Sequence, residues 1–171
     1  MAEWLYEAGI GEARAALVVD GMIVEAQIEP DDDAIRAGTV SRARLTERLA
    51  PHLARVTLDN GAEAMLDRPP PASVSEGSPV TIVIDREAVL EAGRPKRPRA
   101  RLLRPDEAAT PRAGPDLLVR ITASGIPVRR CHAHEPDRLE AAGWSELLEE
   151  AQSGDIAFPG GQLRMAVTPA M

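Results

Sequence analysis

Aromatic side chains are nearly absent from this chain: Trp4, Tyr6, Trp144 and Phe158 are all that 171 residues contain. A core must therefore be built from Ala, Val, Leu and Ile, and few flat rings remain for stacking on nucleic-acid bases. Lysine is rarer still, with Lys96 alone, so positive charge is carried by arginine. Cations are also outnumbered, 20 Lys and Arg against 27 Asp and Glu, giving a net charge of −7 and a pI of about 5.0. That balance argues against a general nucleic-acid-binding surface and leaves room only for a local patch. A single cysteine, Cys131, excludes an intramolecular disulfide and fits a reducing cytoplasm. No apolar run approaches the length of a membrane span, and the N-terminal MAEWLYEAGIGEARAA has acids where a signal peptide needs basic residues. A soluble, cytoplasmic protein with no membrane partner is expected.

What is present is a succession of short strands. The run ARAALVVDGMIVEAQIEP holds two β-prone segments around Asp20-Gly21, a hairpin signal because Gly accepts positive φ without a Cβ clash. EPDDDAIRAG then reads as a polar connection. Its three aspartates form a solvated loop, since no calcium-loop spacing follows them. From Gly38 to about Arg86 come GTVSRARL, LARVTLDNGAEAMLDR with its Asn60-Gly61 turn, and VTIVIDRE, separated by Pro69-Pro70-Pro71 and SEGSP. Several short strands with turn signals at close spacing suggest a small barrel or sandwich.

Residues 88–115 change character, with many Pro, Gly and Arg. They read as a linker. Arg94, Lys96, Arg97, Arg99 and Arg101 form the densest positive patch in the chain, either a solvated basic linker or a phosphate-contacting tail. Beyond them, Pro115 opens a helix on which Leu117, Leu118 and Ile121 share a face, ended by Gly125 and Pro127. VRRCHAH reads as a strand and HEPDRLEAAG as a short helix. Ser145 is placed to cap a second helix with Trp144, Leu147, Leu148 and Ala151 on one face. The chain closes with Leu163, Met165 and Val167 alternating with polar or small residues, the pattern of a half-buried strand. This alternation of helix and strand indicates an α/β layer. The closing segment 162–168 is expected to pack near the opening ribbon 12–29. Cys131, His132 and His134 suggest a zinc site by residue type, but a strand turns Cys131 away from the two histidines and no fourth ligand is evident, which favours the reading without metal.

Three of these stretches together resemble the ribonuclease E/G family. EARAALVVDGMIVEAQIE is similar to the family's opening hairpin. AGTVSRARLTERLAPHLARVTLDNGAEAML is similar to its S-one-type barrel, with Gly38, Pro51, Asp59 and Gly61 at matching places. HEPDRLEAAGWSELLEEAQSGDIAFPGGQLRMAVTPAM resembles the stretch leading into its catalytic domain. The resemblance implies an α+β fold: a small OB-fold barrel inserted in a split RNase H-like α/β domain. The implied division is 1–35 for the first part of the RNase H-like domain and 36–87 for the RNA-binding barrel. A basic Pro/Arg-rich linker at 88–115 follows, then 116–171 for the second part of that domain and the start of the catalytic domain.

By the same resemblance the parent is a magnesium-dependent endoribonuclease of RNA processing or decay. The family's metal-binding aspartates fall after the Thr-x-Ala strand, which is where this sequence stops, so no catalytic or metal residue is assigned. The implied RNA-binding residues are Arg42, Arg44, His52, Arg55, Lys96, Arg97 and Arg99. Single-stranded RNA is the implied partner, and homo-oligomers would form through the later part of the family's chain. Two aromatic platforms of the family's barrel correspond to Thr57 and Met65, which have no π-face. Losing two stacks, about 2–6 kcal/mol, weakens RNA binding by roughly one to four orders of magnitude. The five-prime sensor has no room in 88–115, so no discrimination of RNA ends is expected. The competing expectation is a non-catalytic OB-type interaction or scaffolding module, favoured by the acidic balance and the missing rings.

Overall fold

The computed structural model describes residues 1–89 and 95–165. The chain is mostly β and divides into two compact units. One comprises Met1–Asp31 and the chain from Leu117 onward; the other is Asp32–Asp116.

The first unit is built on a sheet ordered β3-β2-β1-β9, where β1 is Ala2–Ala8, β2 Glu12–Val19, β3 Met22–Pro30 and β9 Val128–Cys131. The first three strands are an antiparallel meander, and β9 lies parallel to β1 with Trp4 opposite Val128. Asp20 and Gly21 both adopt positive φ, 51° and 85°, which is the two-residue turn that the right-handed twist of a hairpin requires. Strand β1 was not legible as a strand because its buried residues are consecutive. Trp4 faces one side with Ala15, Leu117 and Ile121, while Leu5 faces the other with Ala16, Val18, Leu139 and Trp144. Helix α1 (Leu117–Ala123) covers the first face, and α2 (Arg138–Ala141) with α3 (Trp144–Ser153) covers the second. A central strand covered on both faces loses the period-two pattern.

Several expectations are corrected in this unit. The partner that completes the layer beside the opening hairpin is β9, not the closing segment. That segment forms its own two-stranded hairpin, β10 (Asp155–Phe158) with β11 (Gly161–Arg164). It is exposed rather than half-buried, with Leu163 52% accessible, because β10 is the only strand that pairs with β11 among the described residues. Val167 and Thr168 lie outside those residues. The strand over VRRCHAH ends at Cys131, and His132 and His134 follow it with rings stacked 5.6 Å apart. Ser145 is not a cap: α3 starts from Gly143 at φ 97°, and the Ser145 hydroxyl donates to Glu140 Oε2 at 2.8 Å.

The second unit is a closed barrel with strands in the order β4-β5-β6-β8-β7. Here β4 is Val40–Ala50, β5 Leu53–Leu58, β6 Glu63–Asp67, β7 Pro79–Arg86 and β8 Arg99–Leu102. All neighbours are antiparallel except β6 and β8, which run parallel. Small and branched side chains alternate inside: Ala43, Leu45, Ala54, Val56, Leu58, Ala64, Leu66, Ile82, Ile84 and Ala100. That filling suits a narrow barrel and explains how a core forms without rings. Register shifts within β4, at Leu45/Glu47 and Arg48/Ala50, bend the strand so that it pairs on both sides.

The boundary at 87 and the linker at 88–115 are therefore corrected. Residues 99–102 supply the strand that closes the barrel, and Val89 pairs with Lys96 ahead of it. Only Ala100 of β8 is fully buried, so a four-residue strand rich in arginine carries almost no apolar signature. After β8 the chain returns to its own entry point. Arg112 bridges Val40, the Gly114 amide donates to Thr39 Oγ1 at 2.9 Å, and a Cβ at Gly114 would lie 2.2 Å from Ala37 O. Only a glycine permits that approach.

Candidate nucleic-acid interface

The outward side chains of β4, β5, β6 and β8 form one continuous face, because the inward positions alternate strictly with them along β5 and β6. Strand pairing sets its rows. Arg44 stands opposite Thr57, and Thr57 opposite Glu63. Glu47 stands opposite Arg55, Arg55 opposite Met65, and Met65 opposite Arg99. Four of the arginines expected from the sequence, Arg42, Arg44, Arg55 and Arg99, project from these strands, and Arg97 enters from the loop that leads into β8.

Carboxylates hold three of them. Arg55 Nη2 donates to Glu47 Oε2, and Arg55 Nε lies 3.7 Å from Glu63 Oε1. Glu63 Oε2 also accepts from Arg97 Nε at 2.9 Å, so one carboxylate spans two guanidiniums. Arg99 is forked onto Asp67. Arg44 donates only to a backbone oxygen, Gly77 O at 3.2 Å, and Arg42 is exposed with no carboxylate in ion-pair range among the described residues. The positive charge available to a ligand therefore concentrates at Arg42 and Arg44.

The remaining expected residues are less integrated. His52 occupies the β4–β5 turn with an exposed side chain, and its carbonyl accepts from the Arg68 amide at 3.1 Å. Among the described residues no hydrogen bond ties its ring to the arginines. Lys96 is fixed through its backbone to Val89, with bonds of 2.9 and 3.0 Å. Arg94 falls outside the described residues. Thr57 and Met65, the positions lacking aromatics, do lie on this face, where the Thr57 and Thr46 hydroxyls bond at 2.7 Å.

Sequence reading missed the acids that hold the arginines. Glu63 and Asp67 face outward on either side of buried Ala64 and Leu66, and the register set by the Asn60-Gly61 turn brings Glu63 diagonally next to Arg55. It also missed Arg48, whose guanidinium donates to the carbonyls of Pro70, Pro71 and Val74 at 2.8–3.0 Å and holds the proline loop. Arg101 is neither a solvated linker residue nor free for phosphate: Glu107 accepts two bonds from it, at 2.6 and 2.5 Å, and Asp85 lies 3.2 Å away.

Elsewhere, in the first unit, a cleft of about 520 Å³ lies among Tyr6, Glu7, Arg14, Arg130, Cys131 and His132. Its cations are offset by Glu7 and by Glu12, which accepts from Arg14 at 2.7 Å, and burial pushes the Cys131 thiol up. Among the described residues no three His, Cys, Asp or Glu converge to hold a metal ion, and no helix is long and apolar enough to cross a membrane. Compared with known proteins, the chain matches no family model and no curated protein.

Proposed function

We propose that this chain is the RNA-binding N-terminal portion of a ribonuclease E/G-like endoribonuclease, in which an OB-type barrel guides single-stranded RNA. The observation that carries the reading is the barrel's strand order. A meander of three strands, a third strand parallel to the fifth, and a fourth strand closing on the first describe the five-stranded Greek-key barrel that takes oligonucleotides. In that fold the ligand crosses the second and third strands, here β5 and β6, between the first hairpin turn and the loop joining the last two strands. The arginine-bearing face lies across those strands. The order β3-β2-β1-β9, three antiparallel strands and then a parallel one, supports an RNase H-like layer. The place of Asp32–Asp116 in the chain, between β3 and α1, supports its being split by the barrel.

On this reading Arg42 and Arg44 make the first phosphate contacts, with Arg55, Arg97 and Arg99 joining as their carboxylates yield. Binding is weak because Thr57 and Met65 offer no ring. On this reading no magnesium ligand and no cutting chemistry are assigned to residues of this chain.

A labelled single-stranded RNA titrated at two salt concentrations tests this. The expected result is weak association at low salt that falls as salt rises, by about 0.7 in log K per log salt for each phosphate neutralised. Absence of association at low salt, or a slope near zero, overturns the RNA-binding claim. The second reading, a non-catalytic interaction module, is favoured by one observation: the face's guanidiniums are largely neutralised by its own acids.

A further inference from the structure

We propose that Glu63 is an internal competitor for RNA phosphates, and that it sets how strongly and how salt-dependently the barrel binds. The inference rests on the RNA-binding reading above and deepens it. Among the described residues of the face, Glu63 is the carboxylate that bridges two guanidiniums, with Oε1 3.7 Å from Arg55 Nε and Oε2 2.9 Å from Arg97 Nε. Its hold on Arg55 is ionic rather than hydrogen-bonded, since Arg55 Nε is buried with no hydrogen-bond partner. Arg97 is half exposed and accessible to a ligand.

Carboxylate and phosphate oxygens present the same kind of acceptor to a guanidinium, so Glu63 and an RNA phosphate compete for the same donors. The contest is close, because exposed ion pairs contribute little net free energy. It also leaves a thermodynamic mark. While Glu63 holds Arg97, no phosphate is neutralised there and no counterion is released. The wild-type salt slope therefore counts Arg42 and Arg44 and omits the arginines that Glu63 covers.

The variant Glu63→Gln keeps the side chain's size and removes its charge. Titration of labelled single-stranded RNA is expected to show affinity raised about two- to thirty-fold. The salt slope is expected to steepen by about 0.7, one added phosphate at Arg97, since Glu47 still holds Arg55. In Glu63→Gln/Arg97→Gln the gain should largely disappear. A purely structural role for Glu63 would move the unfolding midpoint and leave the slope alone. Binding by wild type and Glu63→Gln with equal affinity and slope overturns this inference while the RNA-binding reading stands. No binding by either protein overturns both.

Discussion

Arg99 Nη1 donates to both carboxylate oxygens of Asp67, each bond 3.1 Å long, so a single guanidinium nitrogen is shared between the two oxygens across the parallel strands β6 and β8. Only one guanidinium nitrogen is engaged, and both side chains are more than two-fifths exposed. Solvent screening then limits its worth. Asp67→Asn is expected to shift unfolding free energy by no more than about 1 kcal/mol, read from urea denaturation. A larger loss would mean that the pair holds β8 against β6, and that the barrel depends on it for closure.

Rings placed on the interface should restore what the sequence omits. Thr57→Tyr and Met65→Phe add aromatic faces at outward positions of β5 and β6, where nothing inside the barrel is disturbed. Each stack contributes about 1–3 kcal/mol, so RNA affinity is expected to rise roughly five- to a hundred-fold per substitution. Fluorescence anisotropy with a labelled single strand reads the change directly. Unchanged affinity in both variants would place RNA on some other surface.

Arg48 acts on structure rather than on ligand. Its guanidinium fixes three carbonyls of the proline loop while its own amide donates to Glu76 Oε1 at 2.8 Å. Arg48→Ala leaves those acceptors to water and is expected to cost about 1–3 kcal/mol. Limited proteolysis should then cut between residues 68 and 78. Arg48→Lys should rescue only partly, because an ammonium cannot reproduce the planar fork.

Glu107 gives a pH signature. Bonds from Arg101, and then the Arg104 amide at 2.7 Å, hold its carboxyl down at about 2 from an ordinary 4.5. The folded value lies below the unfolded one. Its contribution is therefore complete above about 4.5 and is lost as pH falls from there towards 2. Urea midpoints of wild type and Glu107→Gln should differ at pH 6 and converge near pH 2. A gap that stays constant across that range would assign the loss to something other than this charge.

Turns were the most readable part of the fold. Asp20-Gly21 and Asn60-Gly61 declare their hairpins because positive φ leaves few residues to choose from, and each hairpin fixes which residues stand opposite. What stayed hidden has two physical sources. Strand β1 is covered on both faces, so Trp4 and Leu5 are buried side by side and no alternation survives. Strand β8 is the reverse case: one alanine points inward and arginines point out, so its sequence looks like the loop before it. The candidate interface was half legible. Its arginines were named from the sequence, but the charge they present is decided by Glu47, Glu63 and Asp67, whose partners are set by tertiary pairing.

The contact of Gly114 with Ala37 and Thr39 ties the way out of the barrel to the way in. Residues 37–39 and residue 114, close in the chain to the two ends of the Asp32–Asp116 unit, are thus neighbours in space. A cassette of that kind can be gained, lost or exchanged between proteins with little strain on its host, so its history need not be the history of the strands on either side.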